Sequence, residues 1–329
     1  MKEITLSKKE ILSRLNNIII QPLGFKQRKY GVSVKHFSNL EETPSKRIDY
    51  EVAADLNIED GKGILRLNKE NIFYNQHQPD FINEIISTAL SGAIYPVETF
   101  MNEKGIHTGE ISNHDEILKR WEIQKSNLSQ KYSSDSLTHF FLAFEEKLNN
   151  KFLLGKSLHH DWFWNLFFHP RLINYGDKRT VEKDVFLSVI PYQDPLKFSG
   201  IQKIEKIPVN KHTFTIHFES KEISAPAYFH PENYTAEAPV LMTLKVIFDH
   251  DLYHHFPMNT IAELEIYSKD GWNHKTLIKK IVFSMYQINT DEYKTKKLSN
   301  DSPFITGGLV IVPPNKWGFD NFEGIENDW

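Results

Sequence analysis

Apolar residues recur at two different periods along this chain, and the change of period divides it. Residues 6–21 place Ile11, Leu12, Leu15, Ile18 and Ile19 at helical spacing behind Ser7. That predicts an amphipathic helix with a serine N-cap, stopped by Pro22 and Gly24. Extended runs follow at 30–37, 50–58 and 63–74, with Asp60-Gly61 as a hairpin turn between the last two. Residues 80–93 return to helical spacing through Phe81, Ile82, Ile85, Ile86 and Leu90. Ile94-Tyr95-Pro96-Val97 then reads as strand, turning at Lys104-Gly105 and coming back to Ile111.

A helix pair is predicted next, over 112–152. Ser112-Asn113-His114-Asp115 resembles a capping box with a shortened acid, and Ile117, Trp121, Leu128 and Tyr132 mark the buried side. After a break at Ser133-Ser134-Asp135, the residues Leu137, Phe140, Phe141, Phe144, Leu148 and Phe152 form one apolar stripe at period 3.6. Gly155 is read as the stop of that helix. Trp162, Phe163, Trp164, Leu166, Phe167 and Phe168 then crowd into seven residues before His169-Pro170. An aromatic side chain buries on the order of 150–250 Å², so this segment must lie against something large.

From about residue 183 the period is two. In TFTIHFES, residues 213–220, Phe214, Ile216 and Phe218 fall on one face and Thr213, Thr215, His217 and Glu219 on the other. That is a half-buried antiparallel strand. Residues 240–248 and 262–268 repeat it, and Asp270-Gly271 turns into 275–288. The fold class this implies is α+β, with long amphipathic helices packed on a curved antiparallel sheet. Four regions follow: an α+β region at 1–111, an aromatic-rich helical segment at 112–172, an antiparallel β region at 173–290, and a linker with an acidic, aromatic tail at 291–329.

Composition narrows the function classes. The 329 residues are 40% hydrophobic and 25% charged, which are globular values. Cysteine is absent, which removes disulfides, thiolate metal sites and cysteine nucleophiles. No secretory signal pattern opens the chain and no stretch reaches the roughly 20 apolar residues of a membrane span. A cytoplasmic protein is expected. A net charge of −4 gives no reason to expect a nucleic-acid partner.

The candidate chemistry is thin. Asp249, His250, Asp251, His254 and His255 form the strongest metal-like cluster, from which a metal-dependent hydrolase could be built. It follows a clean strand and carries no HExxH, so a polar hairpin loop is the simpler reading. His159-His160-Asp161 could pair a carboxylate with an imidazole for general-base work, yet Asp161 capping the aromatic helix explains it with fewer assumptions. Gly155-Lys156-Ser157 lacks the first glycine and the preceding strand of a phosphate loop. Glu145 and Glu146 point about 100° apart on a helix and make no acid–base pair. No catalytic residue, metal ligand or cofactor is assigned.

The tail carries Asp320, Glu323, Glu326 and Asp328 interleaved with Trp317, Phe319, Phe322, Ile325 and Trp329. Such residues suit a groove with a basic rim, and Leu309 to Val312, with Leu309 and Ile311 on one face, suit strand addition. The chain is therefore expected to be a non-enzymatic binding or assembly protein whose partner is another protein or a second copy. The alternative is a binder of an apolar small molecule in a cavity between sheet and helices.

Overall fold

The computed structural model describes residues 25–288 apart from 39–40, 60–61, 102–105, 171–172, 174, 177, 191–192, 206–212, 233–237, 252–255 and 273. Of the described residues 49% are strand and 27% helix, so the sheet is the frame and the helices are its cover.

Among the described residues there are twelve strands, β1 (Phe25–Ser38), β2 (Lys46–Glu59), β3 (Lys62–Tyr74), β4 (Val97–Met101), β5 (His107–Ile111), β6 (Thr180–Leu187), β7 (Leu196–Ile204), β8 (Thr213–Ser220), β9 (Ile223–Ser224), β10 (Val240–Asp251), β11 (Pro257–Lys269) and β12 (Lys275–Gln287). They form one antiparallel sheet in the order β5-β4-β3-β2-β1-β12-β11-β10-β8-β7-β6, with β9 also paired to β10. The joint between the early and late strands is β1 against β12, from Tyr30 opposite Gln287 to Ser38 opposite Lys279. Strands of the 1–111 and 173–290 regions thus share one sheet.

Alternation decides which face is covered. Tyr30 and Val32 of β1, Tyr50 and Val52 of β2, Val246 and Phe248 of β10, and Phe283 and Met285 of β12 are all buried on one side. On the other side Gly31 faces Tyr286. A Cβ at Gly31 would sit 2.7 Å from the tip of the tyrosine ring, so a larger residue there would push the ring aside.

Among the described residues five α-helices interrupt the strands: α1 (Ile82–Ile94), α2 (His114–Lys131), α3 (Asp135–Leu148), α4 (Lys151–Leu158) and α5 (Trp162–Phe167). α1 runs through Ile94 and is followed by a cis Tyr95-Pro96 bond, so strand begins only at Val97. Asn113 caps α2 by position alone. Its side chain accepts from the Glu98 N–H at 2.9 Å and donates to the Pro96 carbonyl at 2.9 Å, so the expected capping box does not form. That side chain ties the helix start to β4 instead.

The central stripe is also two helices, not one. Asn150 accepts from the N–H groups of Phe152 and Leu153, restarting the chain as α4. The rotation takes Phe152 out of the stripe and leaves it 75% exposed, while Leu137, Phe141 and Leu148 are buried. Trp121 holds α2 and α3 together, edge-on to Phe141 and donating its indole N–H to Glu145 at 2.9 Å.

α5 lies over the covered face. Phe167 meets Tyr30 edge to face with centroids 5.5 Å apart, Trp162 approaches Phe283 at 6.3 Å, and His169 stacks on Phe248 at 5.0 Å. The dense aromatic run therefore contacts β1, β10 and β12, the middle of the sheet. Among the described residues no helix is long and apolar enough to cross a membrane.

Candidate functional site

The segment from α4 to Pro170 also reaches both edges of the sheet. Trp162 donates its indole N–H to the Ser188 carbonyl just after β6, at 2.7 Å. On the other side Gly155 of α4 presses against Gly109 of β5. A methyl at Gly155 would overlap the Gly109 carbonyl oxygen. Gly109 itself has φ of +83°, a conformation that favours glycine. Gly155 is thus inside α4, not its stop, and its missing side chain is what lets helix and strand backbones touch.

Between these attachments lies a cavity of about 1020 Å³. Its walls include His107 from β5, His159 and His160 from the α4–α5 connection, Trp164 and Phe168, and Lys183 from β6. Ser199 and Gly200 of β7 and Lys156 of α4 complete it. The first and last strands of the sheet path therefore line one cleft.

The aromatic wall is tightly arranged. The His107 ring lies 4.4 Å from His159, 4.6 Å from Phe168 and 5.4 Å from Trp164, centroid to centroid. Trp164 is fully buried and donates its indole N–H to the Tyr95 hydroxyl at 2.7 Å. Burial drives Tyr95 well above the usual phenol range, which keeps it neutral.

Hydrogen bonds set the imidazole tautomers. The Gly109 N–H donates to His107 Nδ1 at 3.1 Å, placing the His107 proton on Nε2. The Asn165 amide N–H donates to the His159 and Asp161 carbonyls, which turns its oxygen toward His159 Nδ1 at 3.4 Å. His169 donates from Nε2 to Gln202 Oε1 at 2.6 Å, since the Gln202 amide N–H donates to the Tyr175 hydroxyl.

Burial, and then the neighbouring His159, lower His107 from 6.5 to about 3, and burial lowers His159 and His160 as well. His107, His159 and His160 are therefore held in the neutral form at pH 7. For stability the sign is fixed: the unfolded chain takes up the His107 proton near pH 6.5, whereas the folded chain resists it down to about 3. Stability is full above pH 6.5 and falls as pH drops toward 3, with a limiting slope of about 1.4 kcal/mol per pH unit for each such group. Urea midpoints measured from pH 7 to pH 4 should fall. In His107→Phe the fall should be shallower, while the midpoint at pH 7 is already lower.

Asp161 caps α5, accepting from the Phe163 N–H at 2.9 Å. It also accepts from the Tyr50 hydroxyl at 3.3 Å and pairs with Lys69 at 3.1 Å. It orients neither His159 nor His160 in a general-base pair, because its oxygens face the sheet. Asp161→Ala should cost about 2 kcal/mol, the upper end for a lost cap, since Tyr50 and Lys69 lose their acceptor too. A denaturant titration reads this directly.

Asp249, His250 and Asp251 belong to β10, where alternation puts His250 on the face opposite the two aspartates. Asp249 accepts from the Thr215 hydroxyl at 2.6 Å. His250 is buried and stacked on Phe214. Asp251 pairs with the buried Arg28 at 2.8 Å. The expected loop is strand as far as residue 251, and His250 faces the core, which removes it from any ion-binding loop. His254 and His255 lie outside the described residues, as do Leu309, Ile311, Trp317, Phe319, Phe322, Ile325 and Trp329. Among the described residues no group of three or more His, Asp or Glu could hold a metal ion. Gly155, Lys156 and Ser157 are within α4, and the Ser157 hydroxyl donates to the Leu153 carbonyl at 2.7 Å, so no phosphate loop forms there.

Sequence reasoning missed His107, Gly109, Tyr95 and Gln202. The only local signal was Gly109 in a short return strand, where a glycine often marks a close backbone approach.

No family model matches this chain, and no curated protein matches it. A structure of lipovitellin, described for its lipid–protein interactions, is similar over 82% of this chain at 9% identity with a TM-score of 0.39. The chain spans 25% of that protein's length. A LolA superfamily protein from Nitrosomonas europaea aligns with 86% of this chain and 92% of its own, at 6% identity and a TM-score of 0.17. Scores this low carry no functional argument, so the reading below rests on the cavity.

Proposed function

We propose that this protein is a non-catalytic binder that holds a small molecule with an apolar or aromatic body in the cleft between its two sheet edges. One observation carries the reading: β5 and β6, at opposite ends of the strand path, line the same cavity of about 1020 Å³. In this reading the sheet is curved, bending until its ends face each other across α4 and α5. Ligand cavities of roughly 300–1,000 Å³ are usual, so the space suits a molecule at the large end of that range.

The lining sets the ligand's chemistry. His159, His160 and Phe186 are the partly exposed rings of the lining, and the buried Trp164, Phe168 and His107 back them. The imidazoles, being neutral, can exchange hydrogen bonds without demanding a charge. Around the mouth Lys156, Lys183 and Lys221 are interspersed with Glu182 and Asp184. Mixed signs at the rim favour an uncharged or zwitterionic ligand over a strongly ionic one.

The test is a fluorescence titration of the full chain with N-phenylnaphthylamine, an uncharged aromatic probe. Saturable binding is expected. Thr108→Trp, at an exposed position lining the cavity, should weaken it roughly tenfold by filling the mouth. Equal affinity in the variant, with unchanged stability, would place the probe elsewhere and defeat the proposal. Native mass spectrometry of the freshly purified chain should also show a small-molecule adduct.

A further inference from the structure

A second cluster, sharing no residue with the cavity, sits on the covered face where β1, β2 and β12 meet. His36 is opposite Lys46 across the β1–β2 ladder, and Ser38 is opposite Lys279 across the β1–β12 ladder. Residues two apart on a strand share a face, so His36, Ser38, Lys46 and Lys279 all project to the same side as Val34, Ile48 and Ile281. Directly opposed side chains lie roughly 5 Å apart at Cβ and diagonal ones about 7–8 Å. The Ser38 and Ser45 hydroxyls are 3.3 Å apart beside them. Lys279 also stands 5.7 Å from the Phe229 ring, on the 3-10 turn Ala227–Phe229.

Lys46 on β2 and Lys279 on β12 flank β1 and repel across it, and no carboxylate among the described residues pairs with either. On the opposite face Arg47 pairs with Asp49 at 2.7 Å, and Lys280 pairs with Glu263. Among the described residues His36, Lys46 and Lys279 have no such partner. Glu41 and Glu42, in the loop after β1, are exposed and form no ion pair with them among the described residues. Burial, then Lys279 and Lys46, hold His36 at about 4, and burial and Lys46 lower Lys279. His36 and Lys279 are half-buried while Lys46 and Ser45 are exposed, and such a cluster, with no carboxylate beside it among the described residues, is an arrangement that an external anion relieves.

We propose that His36, Lys46 and Lys279, with the hydroxyls of Ser38 and Ser45, form a binding site for a phosphate-type oxyanion. Two lysines supply charge and the imidazole a directed hydrogen bond, and the hydroxyls, which without an anion run from Ser38 to Ser45 to the His36 carbonyl, rotate to donate to the anion. The group bound is either free phosphate or the phosphate of a lipid headgroup, and the two sources are separable by experiment.

The experiment compares thermal unfolding of the full chain in inorganic phosphate and in chloride at equal ionic strength. Phosphate should raise the midpoint in a saturable way, by about 2 °C or more at saturation. The Lys46→Gln, Lys279→Gln double variant should lose this difference. Its midpoint in chloride should be no lower than that of the parent, because the substitutions remove a repulsion, so a failure to fold would not be mistaken for a failure to bind. The His36 imidazole, followed by NMR, should titrate at higher pH with phosphate present. A parallel arm measures co-sedimentation with phosphatidylglycerol vesicles against uncharged glycolipid vesicles. Binding to the former alone, lost in the double variant, assigns the anion to a headgroup and also sustains the proposal. No phosphate-specific shift and no vesicle binding, or a double variant that responds like the parent in either arm, would overturn it.

Discussion

Replacing Trp164 with alanine is expected to destabilise the protein by about 4 kcal/mol, the range for truncating a fully buried large aromatic. The indole has no solvent exposure and is bounded by Phe168 at 5.2 Å and His107 at 5.4 Å. Little around it can collapse into the gap. Its neighbours are held from separate directions, His107 by β5 and Phe168 by the end of α5, and α5 is itself fastened to β6 through Trp162. The hydrogen bond to Tyr95 adds a second cost, because the phenol is buried and stays neutral. Trp164→Phe separates the two effects. It keeps most of the ring volume and loses the N–H, so about 1–3 kcal/mol is expected. Equilibrium denaturation of the three proteins reads both numbers. The same variants bear on the ligand proposal, since Trp164→Ala enlarges the cavity beside His107 and should change probe affinity, whereas loss at a remote core position should not.

Gly155→Ala should lower stability by about 2 kcal/mol and Gly155→Val by more. The added carbon meets a backbone carbonyl, which cannot rotate aside as a side chain could. Relief requires α4 to move off β5, and that movement would separate His159 from His107. A second signature follows from the geometry: loosening this contact exposes the imidazoles, so their low pKa values should rise toward 6.5 and the acid slope of stability should flatten. Gly271→Ala is the control, because a Cβ there meets nothing within 4 Å and the backbone is not left-handed. Equal losses at both positions would mean that the α4–β5 contact contributes nothing particular.

These two residues show what was and was not legible along the chain. Trp164 was recognisable as buried, since six large apolar residues in seven must be covered by something. Its partners were not, because Tyr95 and His107 are 69 and 57 positions earlier in the numbering and no local pattern points to them. Gly155 was misread for a related reason. After an apolar stripe a glycine ordinarily ends the helix, and only the approach of β5 shows that its role is to leave room. The stripe itself was traced too far, since Asn150 competes as a cap and period alone cannot see a cap that resets the phase. The two readings of Asp161 were separable only by its oxygens, which reach Phe163, Tyr50 and Lys69 and neither histidine.

The alternation of apolar and polar residues was enough by itself to specify β8, β10, β11 and β12, the turn at Asp270 and the α+β class, because a strand's two faces are written two residues apart and need no distant information, whereas β6 and β7 were not picked out. It also determined that the aromatic middle is interior. Strand order, the meeting of β1 with β12, and the convergence of β5 and β6 on one cleft were decided only in three dimensions. Pairings between residues far apart in sequence depend on the summed packing of whole faces, and so does the site those pairings enclose.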